Sequence, residues 1–356
     1  MIESNKTTQR NNGRLNSETE VKGRMQERTV VLSQKANLSQ QAKDHMAFIE
    51  NLSTQIGSKL FAPKFPAHDV EAWEAESNKR CNDEFNIQKN EAIIEEYQPT
   101  IEKFTINGVP VIDIKPKDWT NNGKVLVYLH GGGYTIYDAD KYLYAVVPLA
   151  DQSGFRIISV DYTKSPRSTF INTINEVERV ISGLKSEHTY KSERIGLLGD
   201  SAGAGLTMSV VVHMRDQGEE LPGAVAGLCG CYDLTNSGKS YNTQKDNDFI
   251  LDKESMALFG LAFAGDEASL SNQYASPLFA DFNNQPWPPT LIQSAGHDIL
   301  KSDSKELFKK LITAGVEVEH QKFKGLNHGF QAFVTDLPET ATAIEATAKF
   351  FNDRLK

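Results

Sequence analysis

Residues 199–203 read GDSAG, a G-x-S-x-G pattern between a run of β-favouring residues and a helical segment. Glycines at such a junction permit a sharp, strained turn that holds a serine hydroxyl clear of the sheet. The start of the following helix adds positive dipole potential beside that hydroxyl. The pattern therefore predicts Ser201 as a nucleophile. An ordinary glycine-rich turn is the alternative, and a dinucleotide loop fits less well because G-x-G-x-x-G is absent here.

A second glycine-rich loop, HGGG at residues 130–133, follows the apolar run KVLVYL. Attack of a serine on an ester makes an oxyanion, which needs N–H donors about 2.7–3.1 Å from the place where the charge develops. Consecutive glycines leave bare backbone that can approach a substrate and turn its N–H groups inward. We assign these donors to Gly132 and Gly133, together with Ala202 directly after the predicted nucleophile.

A serine nucleophile needs a general base, and the base needs a carboxylate that orients it. Asp298 follows the predicted strand TLIQSAG, and His328 follows the predicted strand VEVEHQKF. Because parallel strands present their carboxyl ends at one edge of a sheet, both side chains are expected on the same rim as Ser201. The sequence therefore predicts a triad of Ser201, Asp298 and His328.

Neighbouring titratable residues fit these roles less well. His297 precedes Asp298 and lies on the wrong loop for the chain order Ser, Asp, His. Asp303 is the rival acid, but it suits the cap of the next predicted helix. Asp200 adjoins the serine, but its side chain is expected to point away from Oγ, and we assign it no chemical role.

The elements that must position these residues alternate along the chain after Pro99. IEKFTI, Asn107-Gly108 and VPVIDI predict a β-hairpin with a type I′ turn. Strands then alternate with helices, which predicts a mostly parallel, doubly wound α/β sheet. AVAGLCGCY (224–232) is predicted as one of these strands.

Composition excludes several classes of partner. The chain of 356 residues carries a net charge of −9 and no basic tract, which argues against nucleic acid and anionic membrane surfaces. No stretch approaches about 18 apolar residues, so no membrane insertion is expected. The absence of an apolar signal region favours a cytoplasmic location. The three cysteines predict neither a disulfide framework nor a metal site, and are expected to be small buried side chains.

The four motifs together resemble one family. HGGG, GDSAG, Asp298 in GHDIL and His328 in NHGF match, in order, the signature positions of the hormone-sensitive-lipase-like branch of the α/β-hydrolases. The likeness covers roughly residues 100–350. It implies the α/β-hydrolase fold, with hydrolysis of short-acyl carboxylic esters as small-molecule substrates and without a cofactor. An edge-strand homodimer would suit the family.

The resemblance also implies a domain organisation. Residues 1–28 are expected to be a disordered extension, because apolar side chains are sparse there. Residues 29–99 form a predicted N-terminal helical cap, and residues 100–356 form the hydrolase core. Residues 233–265, within that core region, are expected to contribute to the cap.

The chain departs from the family at three places, one of them the elbow, which continues as Ala204-Gly205 where the family has Gly-Gly. The family usually has DYRLAPE where this chain has DYTKSPR (161–167), which puts a supporting salt-bridge network in doubt. Tyr137 stands where a glycine is common, so a narrower pocket is expected.

Two alternative functions remain open at this stage. A lactonase or amidase would use the same triad, because leaving-group choice depends on pocket shape. A non-catalytic small-molecule receptor is a further alternative, since plant gibberellin receptors share the fold but lack the catalytic histidine. The presence of His328 disfavours the receptor.

Overall fold

The computed structural model describes residues 38–334 and 336–356. The predicted extension over residues 1–28 lies outside them, as do residues 29–37 of the predicted cap. The described residues form an eight-stranded sheet in the order β1-β2-β4-β3-β5-β6-β7-β8. The strands are β1 (Thr100–Ile106), β2 (Val109–Lys115), β3 (Val125–Leu129), β4 (Arg156–Val160), β5 (Ile195–Asp200), β6 (Ala224–Leu228), β7 (Thr290–His297) and β8 (Val318–Asn327).

The sheet is mostly parallel, as predicted. The β1–β2 and β2–β4 pairs are antiparallel, and the other pairs are parallel. Every residue of β3, β4, β5 and β6 is buried, because helices cover such a sheet on both faces. At the β1–β2 turn, Asn107 and Gly108 have φ of 46° and 77°, the two positive values that a type I′ hairpin requires.

The helices follow the predicted alternation. Before the sheet come α1 (Gln40–Ile56), α2 (Val70–Cys81) and α3 (Glu84–Tyr97); within it come α4 (Leu143–Ser153), α5 (Phe170–Ser186), α6 (Ala202–Asp216), α7 (Ser240–Thr243), α8 (Lys253–Ala264), α9 (Lys301–Thr313), α10 (Phe330–Phe333) and α11 (Pro338–Arg354). Short 3₁₀ turns cover Ala139–Lys141, Ser192–Arg194, Ala268–Ser271 and Pro277–Phe279. Helix α4 packs against α11, and α5 packs against α6.

The prediction of a strand through residue 232 was wrong. Strand β6 ends at Leu228, because Cys229 adopts a left-handed conformation with φ of 49° and turns the chain out of the ladder. Cys229 and Cys231 therefore lie in the loop after β6. All three cysteines are buried and free, as the composition predicted.

The N-terminal helices are joined to the segment before α8. The N–H groups of Leu60 and Phe61 donate to the carbonyls of Phe249 and Ile250, at 3.0 and 2.8 Å. Trp73 of α2 is fully buried, and its ring lies 5.2 Å from that of Phe259 in α8. These contacts bring α2 and α8 together over the loops at the carboxyl ends of the strands.

Over the two ranges that the structure describes, no helix combines the length and the apolar character needed to cross a bilayer.

Candidate active site

Three chemically important residues each follow the last residue of a strand. Strands β5, β7 and β8 end at Asp200, His297 and Asn327, so Ser201, Asp298 and His328 all lie at the same edge of the sheet. His328 Nε2 is 2.8 Å from Ser201 Oγ, and His328 Nδ1 is 3.0 Å from Asp298 Oδ2. The structure therefore brings the three predicted side chains into one continuous hydrogen-bonded chain.

Ser201 has a strained backbone. Its φ of 52° and ψ of −119° lie outside the conformations that a non-glycine residue ordinarily adopts. The surrounding backbone holds it there: Ser201 N–H donates to the carbonyl of Leu228, and Ser201 O accepts from Gly205 and Cys231 N–H. The half-buried hydroxyl thus stands at the turn between β5 and α6, as the G-x-S-x-G pattern predicts.

His328 is buried among carboxylates. Burial lowers the pKa of this imidazole, but the Asp298, Asp248 and Asp200 carboxylates raise it more, so the pKa lies above the ordinary 6.5. A histidine in this environment accepts a proton more readily than a histidine in water. The site therefore stabilises an imidazolium ion next to Ser201.

Asp298 is held by its own loop as well as by His328. Its Oδ1 accepts from the Leu300 N–H at 2.7 Å, which leaves Oδ2 to the imidazole. The N–H of Ile299, which lies between Asp298 and Leu300, donates to Asp248 Oδ2 at 2.9 Å. These bonds fix the carboxylate plane relative to the His328 ring.

Asp248 was not predicted as a member of the site. Its Oδ1 accepts from the N–H groups of Ile250 and Leu251, while Oδ2 accepts from Ile299. Burial and the neighbouring Asp298 carboxylate raise the pKa of Asp248 to about 6. Asp248 thus ties the segment that meets the N-terminal helices to the loop that carries Asp298.

The prediction that Asp303 caps the next helix was wrong. His328 contacts Asp298 rather than Asp303. Helix α9 begins at Lys301, so Asp303 lies within its first turn and does not cap it. Its Oδ2 instead accepts from the N–H groups of Tyr232 and Asp233 at 3.3 and 3.2 Å. Asp303 therefore supports the loop after β6.

The HGGG loop requires glycine at two positions. Gly132 and Gly133 have φ of 109° and 61°, which L side chains rarely adopt. A Cβ at Gly132 would lie 2.2 Å from the Ile136 carbonyl oxygen, and one at Gly133 would lie 2.3 Å from the Phe259 ring. Ala202, the third predicted donor, is the buried first residue of α6. The two loops therefore flank Ser201 with backbone rather than side chains.

Asp200 anchors the HGGG loop, a role that the sequence analysis missed. Its Oδ1 accepts from the Tyr128 hydroxyl and the Gly131 N–H, and its Oδ2 accepts from the Tyr142 hydroxyl, all within 3.0 Å. Its side chain points away from Ser201 Oγ, as expected. Burial raises the pKa of Asp200, although the two tyrosine hydroxyls lower it. The signal that the sequence offered for this role was the position of Asp200, directly before the predicted nucleophile.

His130 also orders this loop. Its ring stacks on Tyr162 with 4.3 Å between centroids, and the Tyr162 hydroxyl donates to the His130 carbonyl at 2.7 Å. Burial lowers the pKa of His130 to about 4, so the ring is neutral at physiological pH.

A family model described as the α/β-hydrolase fold matches residues 126–332, more than half of the chain. The chain belongs to the α/β-hydrolase fold family. An acetyl-hydrolase of Streptomyces hygroscopicus is 28% identical over 264 residues, covering 71% of this chain and 87% of that protein. An acetyl esterase of Salmonella schwarzengrund is 29% identical over 242 residues, covering 65% of this chain and 73% of that one.

A solved structure refines the family assignment. The crystal structure of an esterase from the bacterial hormone-sensitive lipase family has a TM-score of 0.73 and 26% identity. The match covers 90% of this chain and 100% of the other. This α/β-hydrolase therefore lies in the hormone-sensitive-lipase-like branch, and the resemblance drawn from its four motifs is confirmed.

The DYTKSPR segment forms ion pairs with other parts of this α/β-hydrolase. Lys164 pairs with Asp138, next to the end of the HGGG loop. Arg167 reaches Glu74 of α2 at 2.6 Å, and so links this segment to an N-terminal helix. The Arg and Glu that the family usually has here stay absent, and these pairs involve Lys164 and Arg167 instead.

A small apolar cavity of about 10 Å³ lies beside Ser201. Phe61, Leu251, Met256 and Phe259 line it together with the backbone of the HGGG loop and the start of α6. Tyr137 is not among the lining residues; its ring stacks behind Phe61 with 6.2 Å between centroids.

Cys229 lies next to the triad. Its ligand atom and those of Asp298 and His328 lie within 4.8 Å of one another, a spacing that suits a metal ion. However, burial raises the pKa of the Cys229 thiol, which donates to Gln331 Oε1 at 3.3 Å. Because the thiolate is the form that binds metals, the residues present favour a hydrogen-bonded thiol over a metal ligand.

We expect Asp200→Ala to lower the free energy of unfolding by about 3–5 kcal/mol, because three buried donors lose their acceptor. Asp200→Asn is the matched control and is expected to cost about 1 kcal/mol, since its amide oxygen still accepts and its NH₂ can donate to a tyrosine oxygen. Urea unfolding of both variants tests this. Equal stability of the two variants would contradict the anchoring role.

Proposed function

We propose that this chain is a serine carboxylesterase that hydrolyses short-acyl esters through an acyl-enzyme. The observation that carries the proposal is the unbroken chain from Ser201 Oγ through His328 to Asp298. The relatives named acetyl-hydrolase, acetyl esterase and esterase support the coarser statement that the chain is a carboxylic ester hydrolase acting on small-molecule esters.

The geometry supports a two-step mechanism. Ser201 Oγ attacks the ester carbonyl carbon while His328 Nε2 takes the hydroxyl proton, and Asp298 stabilises the resulting imidazolium. The carbonyl oxygen becomes an oxyanion that accepts from the N–H groups of Gly132, Gly133 and Ala202.

Collapse of this intermediate breaks the ester C–O bond, and His328 returns its proton to the departing alkoxide. A water molecule then attacks the acyl-serine. His328 again acts first as base and then as acid, which releases the carboxylic acid and restores Ser201.

The preference for short acyl groups rests on the cavity beside Ser201. Its volume of about 10 Å³ leaves room for roughly one small group before neighbouring side chains must move. Met256 and Phe259 of α8 and Leu251 before it form the apolar boundary. An acetyl group fits such a space with less displacement than a long acyl chain.

The segments that close the site form its cap. We assign the described part of residues 29–99 to this cap together with residues 233–265, on the backbone bonds between residues 60–61 and 249–250 and on the contact between Trp73 and Phe259. A cytoplasmic location and an edge-strand homodimer stay predictions from the sequence.

Ser201→Ala is expected to lower kcat for p-nitrophenyl acetate by about 10⁴-fold or more, because no other hydroxyl can form the acyl-enzyme at this position. Initial rates by absorbance provide the measurement. Ser209→Ala is the control: it removes a buried hydroxyl from the same helix that has no hydrogen-bond partner among the described residues. Turnover that survives Ser201→Ala would refute the assignment. Ser209→Ala is expected to keep its turnover.

The pH dependence of kcat/KM tests the base. Only the neutral imidazole accepts the serine proton, and the pKa of His328 is raised, so activity is expected to fall as the pH drops through a midpoint above 6.5. Asp298→Asn removes a cause of that rise and should move the midpoint down, with a loss of about 10⁴-fold in kcat.

Asp303→Asn is the control for this measurement. Burial strongly raises the pKa of Asp303, which favours its protonated form, and an amide resembles that form. Its pH profile should match that of the unmodified protein. A profile shifted equally by Asp303→Asn and Asp298→Asn would exclude Asp298 as the orienting acid.

Met256→Ala enlarges the cavity beside Ser201. We expect the ratio of kcat/KM for p-nitrophenyl octanoate to that for the acetate to rise about tenfold, because the longer chain gains space that the acetyl group does not use. Met46→Ala on α1, a partly exposed position, is the control. An unchanged ratio would mean that the acyl chain lies elsewhere.

A further inference from the structure

A second and larger cavity lies outside the candidate active site. It has a volume of about 430 Å³ and lies between the ends of β7 and β8, the first two turns of α9, and α7. We call it the lysine pocket, because Lys239, Lys301, Lys305, Lys322 and Lys324 line it with His320. A cluster of five cations is unexpected in a chain with a net charge of −9.

Several structural elements contribute these lysines. His320, Lys322 and Lys324 share one face of β8, because they are spaced two residues apart along the strand. Lys301 and Lys305 stand four residues apart on one face of α9. Lysines on an edge strand can serve to block strand pairing, and β8 is an edge strand. That explanation does not account for lysines on α9, which converge on the same cavity.

The five lysines bring like charges to one cavity, at which all but Lys301 are exposed to solvent. Like charges at positions i and i+4 of a helix destabilise it. Burial and the neighbouring Lys305 and Lys324 lower the pKa of Lys322. Within residues 38–334 and 336–356, none of the five lysines has a carboxylate within 4.0 Å, and Lys301 donates only to the Gly296 carbonyl at 2.9 Å. The pocket is therefore short of negative charge.

A buried histidine at this cavity has one ring nitrogen without a hydrogen-bond partner among the described residues. His320 is 3% exposed, and its Nε2 lies 2.8 Å from Ser294 Oγ, while its Nδ1 has no hydrogen-bond partner in the described part of the chain. Burial and Lys322 lower the pKa of His320 to about 3, so the ring is neutral. When Ser294 donates to Nε2, Nδ1 carries the hydrogen and is a buried donor with no partner in the described part of the chain.

The chain itself offers no suitable occupant from its N-terminal side. The first described residue, Leu38, contacts Gly325, next to Lys324. Residues 1–37 contain seven basic and four acidic residues, a net positive segment that the lysines would repel. An anion from solution would complement the charge of the pocket.

We propose that the lysine pocket binds a phosphate dianion, either free or as the phosphate group of a small organic molecule. The five ammonium groups are donors, and several of them can surround one phosphate. The volume lies within the 300–1,000 Å³ of small-molecule sites and exceeds what a phosphate ion alone fills. Binding at this site is independent of the proposed esterase activity.

Isothermal titration calorimetry of the full chain at low ionic strength tests the proposal, with ribose 5-phosphate, inorganic phosphate and ribose as titrants. Ribose 5-phosphate is expected to bind with one-to-one stoichiometry, and uncharged ribose is expected to give no heat. Tighter binding of ribose 5-phosphate assigns the site to a phosphorylated molecule, and equal binding of inorganic phosphate assigns it to the free ion.

Lys305→Gln/Lys322→Gln is expected to raise the dissociation constant at least tenfold, because two charged donors are lost. Lys43→Gln/Lys349→Gln changes the net charge equally at exposed positions and should stay within twofold of the unmodified protein. Retained p-nitrophenyl acetate turnover verifies that each variant is folded. The absence of heat with both phosphates at millimolar concentration, or equal weakening in both double variants, would overturn the proposal.

Discussion

The Asp200 carboxylate is the interaction on which the arrangement of the site depends. It is buried at the end of β5, one residue before the strained Ser201, and accepts from Tyr128, Gly131 and Tyr142. One side chain therefore sets the distance between the nucleophile and the loop that flanks it with N–H groups. The proposed oxyanion site requires that its donors are in place before charge develops, and a buried carboxylate with three hydrogen bonds supplies that rigidity.

Buried carboxylates also determine how readily His328 holds a proton. Burial alone would keep the imidazole neutral, but the Asp298, Asp248 and Asp200 carboxylates favour its charged form. Of these, only Asp298 touches the ring, at 3.0 Å. The other two carboxylates use their oxygens to hold backbone: Asp200 holds the HGGG loop, and Asp248 holds the segment before α8. Loop positioning and base strength thus come from the same buried charges.

Much of this arrangement could be predicted from local patterns. Strands and helices alternate where periodicity indicates, and Ser201, Asp298 and His328 follow strand ends because parallel strands share one functional edge. The failures involve contacts between distant segments. A left-handed Cys229 ends β6 although its neighbours favour a strand, Asp303 accepts from the loop after β6 instead of capping α9, and no spacing rule connects Asp248 to Ile299 across 51 positions.

The lysine pocket also could not be predicted from local sequence patterns, because it depends on which charged residues meet in the fold. In the sequence its lysines are dispersed among more numerous acidic residues, and no basic tract exists. Folding places β8 beside α9 and so collects the positive side chains on one face, with the buried His320 among them. Carboxylates collect instead at the triad, where Lys301 and Gly296, both part of the pocket wall, flank Asp298 along the chain. The loop that carries the triad acid therefore separates a region rich in negative charge from one that lacks it.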